Sequence, residues 1–161
     1  MRQSLLILDL VVFFFGSTIY VGTMWAVRLF FYPSWDKMTV EALPEHFTIP
    51  VKAATKFFTV VIPLMLITSV VLIVEEWGKA QLWQVIVAFL SLNASAVVIF
   101  SLFLRPINQA IETATDQATL TPLLKRWMFF NDLRWLTTTV TWAAMMWFLI
   151  GRGHLAQAFQ H

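Results

Sequence analysis

The run Trp127-Met-Phe-Phe-Asn131-Asp132-Leu-Arg134 sets an indole, an amide and a guanidinium at helical spacing beside a strongly apolar stretch. At 100° per residue, Trp127, Asn131, Arg134, Thr138 and Met145 fall within about a 60° arc, with Thr141 and Trp142 just beside it. One face of a helix therefore carries donors and acceptors into apolar surroundings. Two readings follow. In the first, Arg134 is the fixed cation of a polar pocket and Asn131 the orienting group, together binding a ligand oxygen. In the second, Arg134 snorkels to a membrane interface and the threonines return their hydroxyls to helix carbonyls. An arginine at the centre of a span costs about 2.5–3.5 kcal/mol on insertion scales, which the second reading avoids and the first must offset.

Other polar residues converge on the same end of the chain's helices. Arg105-Pro106-Ile107-Asn108 is a helix stop with an interfacial charge, or else it delivers Asn108 to the side where Asn131 and Arg134 lie. Asn93 sits deep in an apolar run, where an unpaired amide is costly, and is either glue between helices or part of the site. His46 lies between the first two runs and is either polar surface or a general base that titrates near neutral pH. Tyr20, Trp25 and Tyr32 are wall residues or packing aromatics. His154 and His161 fall at the tail, on the other side, so a bis-histidine haem site lacks its second ligand; no Glu-x-x-His repeat supports a di-iron site. With Cys 0, thiolate ligands and disulfide chemistry are excluded. No metal and no cofactor are expected.

The elements that must position these groups are helices in lipid. The chain of 161 residues is 59% hydrophobic and only 12% charged, too apolar for a water-soluble domain of this size. Uncharged runs at Leu10 to Val27, Phe57 to Val74, Ala80 to Leu104 and Trp135 to Gly151 each approach the roughly 20 residues that cross about 30 Å of hydrocarbon. They are apolar all round rather than amphipathic, and lack the alternation of transmembrane strands. The fold class is thus all-α, a single transmembrane domain with four spans at about residues 5–31, 57–75, 82–104 and 131–151.

Pro33, Pro44 and Pro50 divide a long first connection, expected to lie on the membrane surface, with Pro50 in the first turn of the next helix and Pro63 kinking it. Glu75 to Gln81 reads as a simple turn, and a polar helix from Arg105 to about Thr119 precedes a restart at Thr121-Pro122. Gly22 and Ala26 form a small-xxx-small pair suited to close helix approach. Arg2, Lys79 and Arg152 share the side of the termini while the other basic residues lie opposite, so the positive-inside rule puts both termini outside the cytoplasm, in a cell inner membrane. The initial apolar segment has no small-x-small cleavage site and is expected to be retained. A formal charge of +2, unclustered, gives nucleic acid no footprint.

Gly22-Thr-Met-Trp25 and Leu29-Phe-Phe-Tyr32-Pro33 at the end of the first run, Arg105-Pro106-Ile107-Asn108 after the third, and Trp127-(x)3-Asn131-(x)2-Arg134 in the last helix together resemble the anthrone-oxygenase-like family of small four-helix membrane proteins. The resemblance covers nearly the whole chain and implies four spans and, for a few members, cofactor-independent oxygenation of aromatic polyketides. Asn108, Trp127, Asn131 and Arg134 are the positions it carries over.

Two functions compete. One is a small-molecule site at the cytoplasmic helix ends, built by His46, Asn93, Asn108, Trp127, Asn131 and Arg134, for an aromatic or quinone-like ligand. There Arg134 stabilises a phenolate or enolate and His46 removes the proton. The other is a non-catalytic accessory or assembly subunit whose outward aromatic faces meet lipid and other membrane subunits.

Overall fold

A computed structural model describes residues 2–152, with side chains from residue 7 onward; His154 and His161 lie outside the described residues. Among these the chain is all-helical, without strands. α1 (Arg2–Ala26) runs through a π-helical turn (Val27–Phe31) into the short α2 (Tyr32–Trp35), and a second π-helical turn (Pro44–Thr48) leads into α3 (Ile49–Glu75). α4 (Leu82–Asn93) continues as a wide π-helical segment (Ala94–Leu104) into α5 (Arg105–Glu112), and α6 (Gln117–Arg152) closes the chain.

Three stretches, Ile7–Trp35, Pro44–Glu75 and Leu82–Glu112, are long and apolar enough to cross a membrane. Each turns large apolar side chains outward, among them Phe15, Phe30, Ile67 and Leu102. Water would not tolerate such a surface, and lipid does: this is an integral membrane protein. α6 is longer than any of the three at 36 residues, but Thr137, Thr138, Thr139 and Thr141 dilute its apolar half.

α6 packs along α1, α4 and the π-helical segment, and α3 along α1 and α4. The face of α6 that turns inward carries Trp127, Asn131, Arg134, Thr138, Thr141, Met145 and Phe148, the stripe that helical periodicity picks out. Close approach of α1 and α3 depends on Gly16, where a Cβ would meet Met65 Cγ at 2.7 Å and Sδ at 2.9 Å. The Gly22 and Ala26 pair has no such role, since a Cβ on Gly22 meets nothing within 4 Å.

Several connections differ from expectation. Trp35, Met38, Leu43 and Phe47 of the first connection are buried against Ile107, Ile111, Leu120, Leu124 and Trp127, so the segment folds over the bundle end as a cap. The indole of Trp35 fixes it by donating to the His46 carbonyl at 2.9 Å. The turn after α3 is more than a turn. Glu76 is only 1% exposed and binds both Lys79 and the Arg152 guanidinium, tying the end of α6 to the end of α3. Gly78, at φ 77, supplies the left-handed residue that reverses the chain there.

α6 begins at Gln117, earlier than the expected restart at Thr121-Pro122. The cap is Asp116, whose carboxylate accepts from the Thr119 backbone N–H at 2.8 Å and the Thr119 hydroxyl at 2.9 Å. These bonds hold the Asp116 carboxyl below its ordinary range. Pro122 then sits inside α6, and the helix gives up one backbone bond there rather than its cap. Pro50 occupies the first turn of α3 as expected, and Pro63 lies inside that helix.

Gly16→Leu should destabilise the protein by about 1–3 kcal/mol through overpacking against Met65, whereas Gly22→Leu should be neutral. Thermal unfolding of the two variants side by side checks this.

Candidate functional site

A cavity of about 410 Å3 lies between α1, α3, the π-helical segment, α5 and α6. Its wall is mostly apolar, with Met24, Phe58, Ile62, Pro63, Ala96 and Phe100 among its residues. Pro63 has no N–H to return to the Thr59 carbonyl one turn earlier, and both residues line the space. The polar part of the wall includes Tyr20, Asn108, Trp127, Asn131 and Arg134, beside the hydroxyls of Thr23, Thr55 and Thr59.

Arg134 is 9% exposed and turns inward. Its Nη2 donates to the Tyr20 hydroxyl at 2.9 Å and its Nε to the same oxygen at 3.3 Å. A guanidinium only donates, so the Tyr20 hydroxyl hydrogen goes to Ser95 Oγ, 2.8 Å away. The rings of Tyr20 and Phe100 flank the cation at 5.5 and 5.3 Å. Among the described residues no carboxylate pairs with Arg134. Asp132, two residues earlier on α6, is held by Arg28.

Asn131 is fully buried. Its Nδ2 donates to the Tyr32 hydroxyl at 3.1 Å, and that hydroxyl donates its single hydrogen to the Met128 carbonyl at 2.9 Å. With the Tyr32 proton committed, only the amide NH2 can face Tyr32, which fixes the orientation of the amide. Asn131 Oδ1 is left buried and without a hydrogen-bond partner. Trp127 donates its indole N–H to Asn108 Oδ1 at 2.6 Å, and its ring packs edge-on against Trp35 and Phe47 of the cap.

Comparison with protein families, curated proteins and solved structures gives no match.

Of the residues singled out from sequence, Asn108, Trp127, Asn131 and Arg134 share this one wall. His46 does not join them: its side chain is exposed, and what it contributes is a carbonyl to Trp35. Asn93 is half-buried and returns its Nδ2 to the Phe89 carbonyl of its own helix at 2.8 Å, so its amide is satisfied without a ligand. Ser95, Phe58 and Phe100 were not anticipated. Of the three aromatics read as wall or packing residues, Tyr20 lines the cavity while Trp25 and Tyr32 do not, and the Tyr20 and Tyr32 hydroxyls receive Arg134 and Asn131.

Tyr20→Phe removes the oxygen that receives both Arg134 donors and leaves a buried cation unpaired, so it should lower stability by about 1–3 kcal/mol. Thermal unfolding in lipid nanodiscs measures it, and Tyr20→Phe as stable as wild type would contradict the assigned bonds.

Proposed function

We propose that the chain crosses the membrane four times, with the apolar half of α6 as the fourth span, and binds a flat, lipophilic aromatic or quinone-like molecule in this cavity. The observation that supports it is a pair of unmet demands on adjacent turns of α6. Among the described residues Arg134 is a buried cation with no carboxylate partner, and Asn131 Oδ1 is a buried acceptor with no donor. A ligand meets both if it presents an ionised or strongly accepting oxygen to Arg134 and a hydroxyl to Asn131. The remaining wall, from Met24 to Phe100, supplies apolar surface for a ring system.

The ligand class agrees with what the resemblance to the anthrone-oxygenase-like family implies. Binding is the activity this wall supports best, because no carboxylate or imidazole is among its lining residues to take up a proton. The ligand arrives already ionised, and the field of Arg134 holds it as the phenolate or enolate. Should such a ring react with dioxygen there, Arg134 stabilises the electron-rich anion that reacts.

The intrinsically fluorescent probe 3-hydroxy-2-naphthoate, titrated into protein in nanodiscs, tests the reading. Arg134→Lys keeps the charge but loses the planar fork, and should weaken binding by about tenfold or more. Asn131→Ala should cost about 1–3 kcal/mol of binding and should have no effect on the 3-methoxy analogue, which lacks the donor. Wild-type protein that binds neither probe would overturn the proposal in favour of an accessory subunit.

A further inference from the structure

A second concavity, a groove of about 470 Å3, opens beside the cavity between α3 and α5. The two share Val51, Thr55, Thr59, Phe100 and Asn108 as common wall. Phe100 is the partition: it lines the groove on one side and lies 5.3 Å from the Arg134 guanidinium on the other. The groove differs in character from the cavity, because Lys52, Lys56 and Arg105 line it against a single acid, Glu112. Lys52 bridges to Glu112 at 3.0 Å, a strap from α3 to α5. Among the described residues neither Lys56 nor Arg105 has a carboxylate partner.

The level of these charges is set by the sequence. Lys56 immediately precedes the apolar run of α3 that begins at Phe57, and Arg105 immediately follows the apolar run that ends at Leu104. Both therefore stand where apolar helix gives way to polar chain, the depth at which an amphiphile's charged head rests in a bilayer.

Resting on the binding function proposed above, we infer that the ligand enters sideways from this interface through the α3–α5 groove, and that its class is an anionic amphiphile. Its anionic group meets Lys56 and Arg105 first, and its apolar body slips past Phe100 into the cavity, where Arg134 takes over the charge. Two basic residues outside and one inside form a graded path for a negative group. A neutral lipophile gains nothing from it. The Lys52–Glu112 strap, exposed on both sides, opens at little cost because a screened surface pair is weak.

The chain has no native cysteine, so Lys52→Cys with Glu112→Cys introduces two unique thiols that a bis-maleimide can bridge. Stopped-flow fluorescence with 3-hydroxy-2-naphthoate in nanodiscs should show association slowed about tenfold or more after bridging. Dissociation should slow equally, so the equilibrium affinity stays within about threefold. The same variant carrying two mono-maleimides should behave as wild type. Lys56→Gln with Arg105→Gln should slow association of the anion and flatten its salt dependence, leaving the neutral methyl ester unaffected. Bridged protein that associates at the unmodified rate would overturn the route while leaving the cavity reading in place. Wild-type protein that binds neither probe overturns both. If the bridge does not form, the charge variant decides alone, and an unchanged rate for the anion rejects the inference.

Discussion

A buried guanidinium with no carboxylate beside it among the described residues is the constraint on which the rest of this structure depends. Removing such a cation from water carries a penalty of several kcal/mol, and Arg134 is 9% exposed within a chain whose outer surface suits lipid. The protein offsets part of that penalty with a neutral oxygen and two aromatic faces: Tyr20 receives the donors, and the Tyr20 and Phe100 rings flank the charge. Ser95 completes the chain by taking the tyrosine hydrogen. None of these groups neutralises the cation. Its demand for an anion is held open, and the one carboxylate nearby on α6, Asp132, is occupied by Arg28.

The surrounding architecture closes one end of the bundle over that demand. The first connection buries Trp35 and Phe47 against Trp127, which closes the bundle end above the polar wall. At the other end Glu76 ties Arg152 to the α3 turn, so α6 is pinned near both ends while its middle carries the site. The π-helical segment after Asn93 carries Ser95, Ala96 and Phe100, and wide turns of this kind recur where a helix must re-aim side chains around a ligand. Packing, capping and site thus belong to one arrangement, with α6 as its axis.

Much of this was legible in the chain. The all-helical class follows from uncharged runs of spanning length, and the inward face of α6 follows from 3.6-residue periodicity, because Asn131, Arg134 and Thr138 can share a face only one way. Connectivity brought Asn108 to Trp127. What the sequence could not reveal depends on which of several partners wins. Asn93 and Asn131 are the same residue type in similar apolar settings, yet the first satisfies itself on Phe89 while the second is turned by Tyr32 so that its oxygen stays free. His46 looked equivalent to any loop base, but burial of its neighbours Leu43 and Phe47 turns its own side chain outward. The start of α6 went to Asp116 over Thr121, since an aspartate bonding both groups of Thr119 outweighs a proline signal six residues later.

Under the proposed function, Arg134 is kept for a ligand and contributes no net stability to the empty protein. Replacing it with methionine, of similar length and without charge, tests this most directly, because Tyr20 can still donate to Ser95 and no buried group is orphaned. Thermal unfolding in nanodiscs, without ligand and then with saturating 3-hydroxy-2-naphthoate, gives the answer. Ligand-free Arg134→Met should be as stable as wild type or more so, and the ligand should raise the unfolding temperature of wild type alone. A ligand-free Arg134→Met that unfolds well below wild type would show instead that the guanidinium holds the bundle together and is not kept for a ligand.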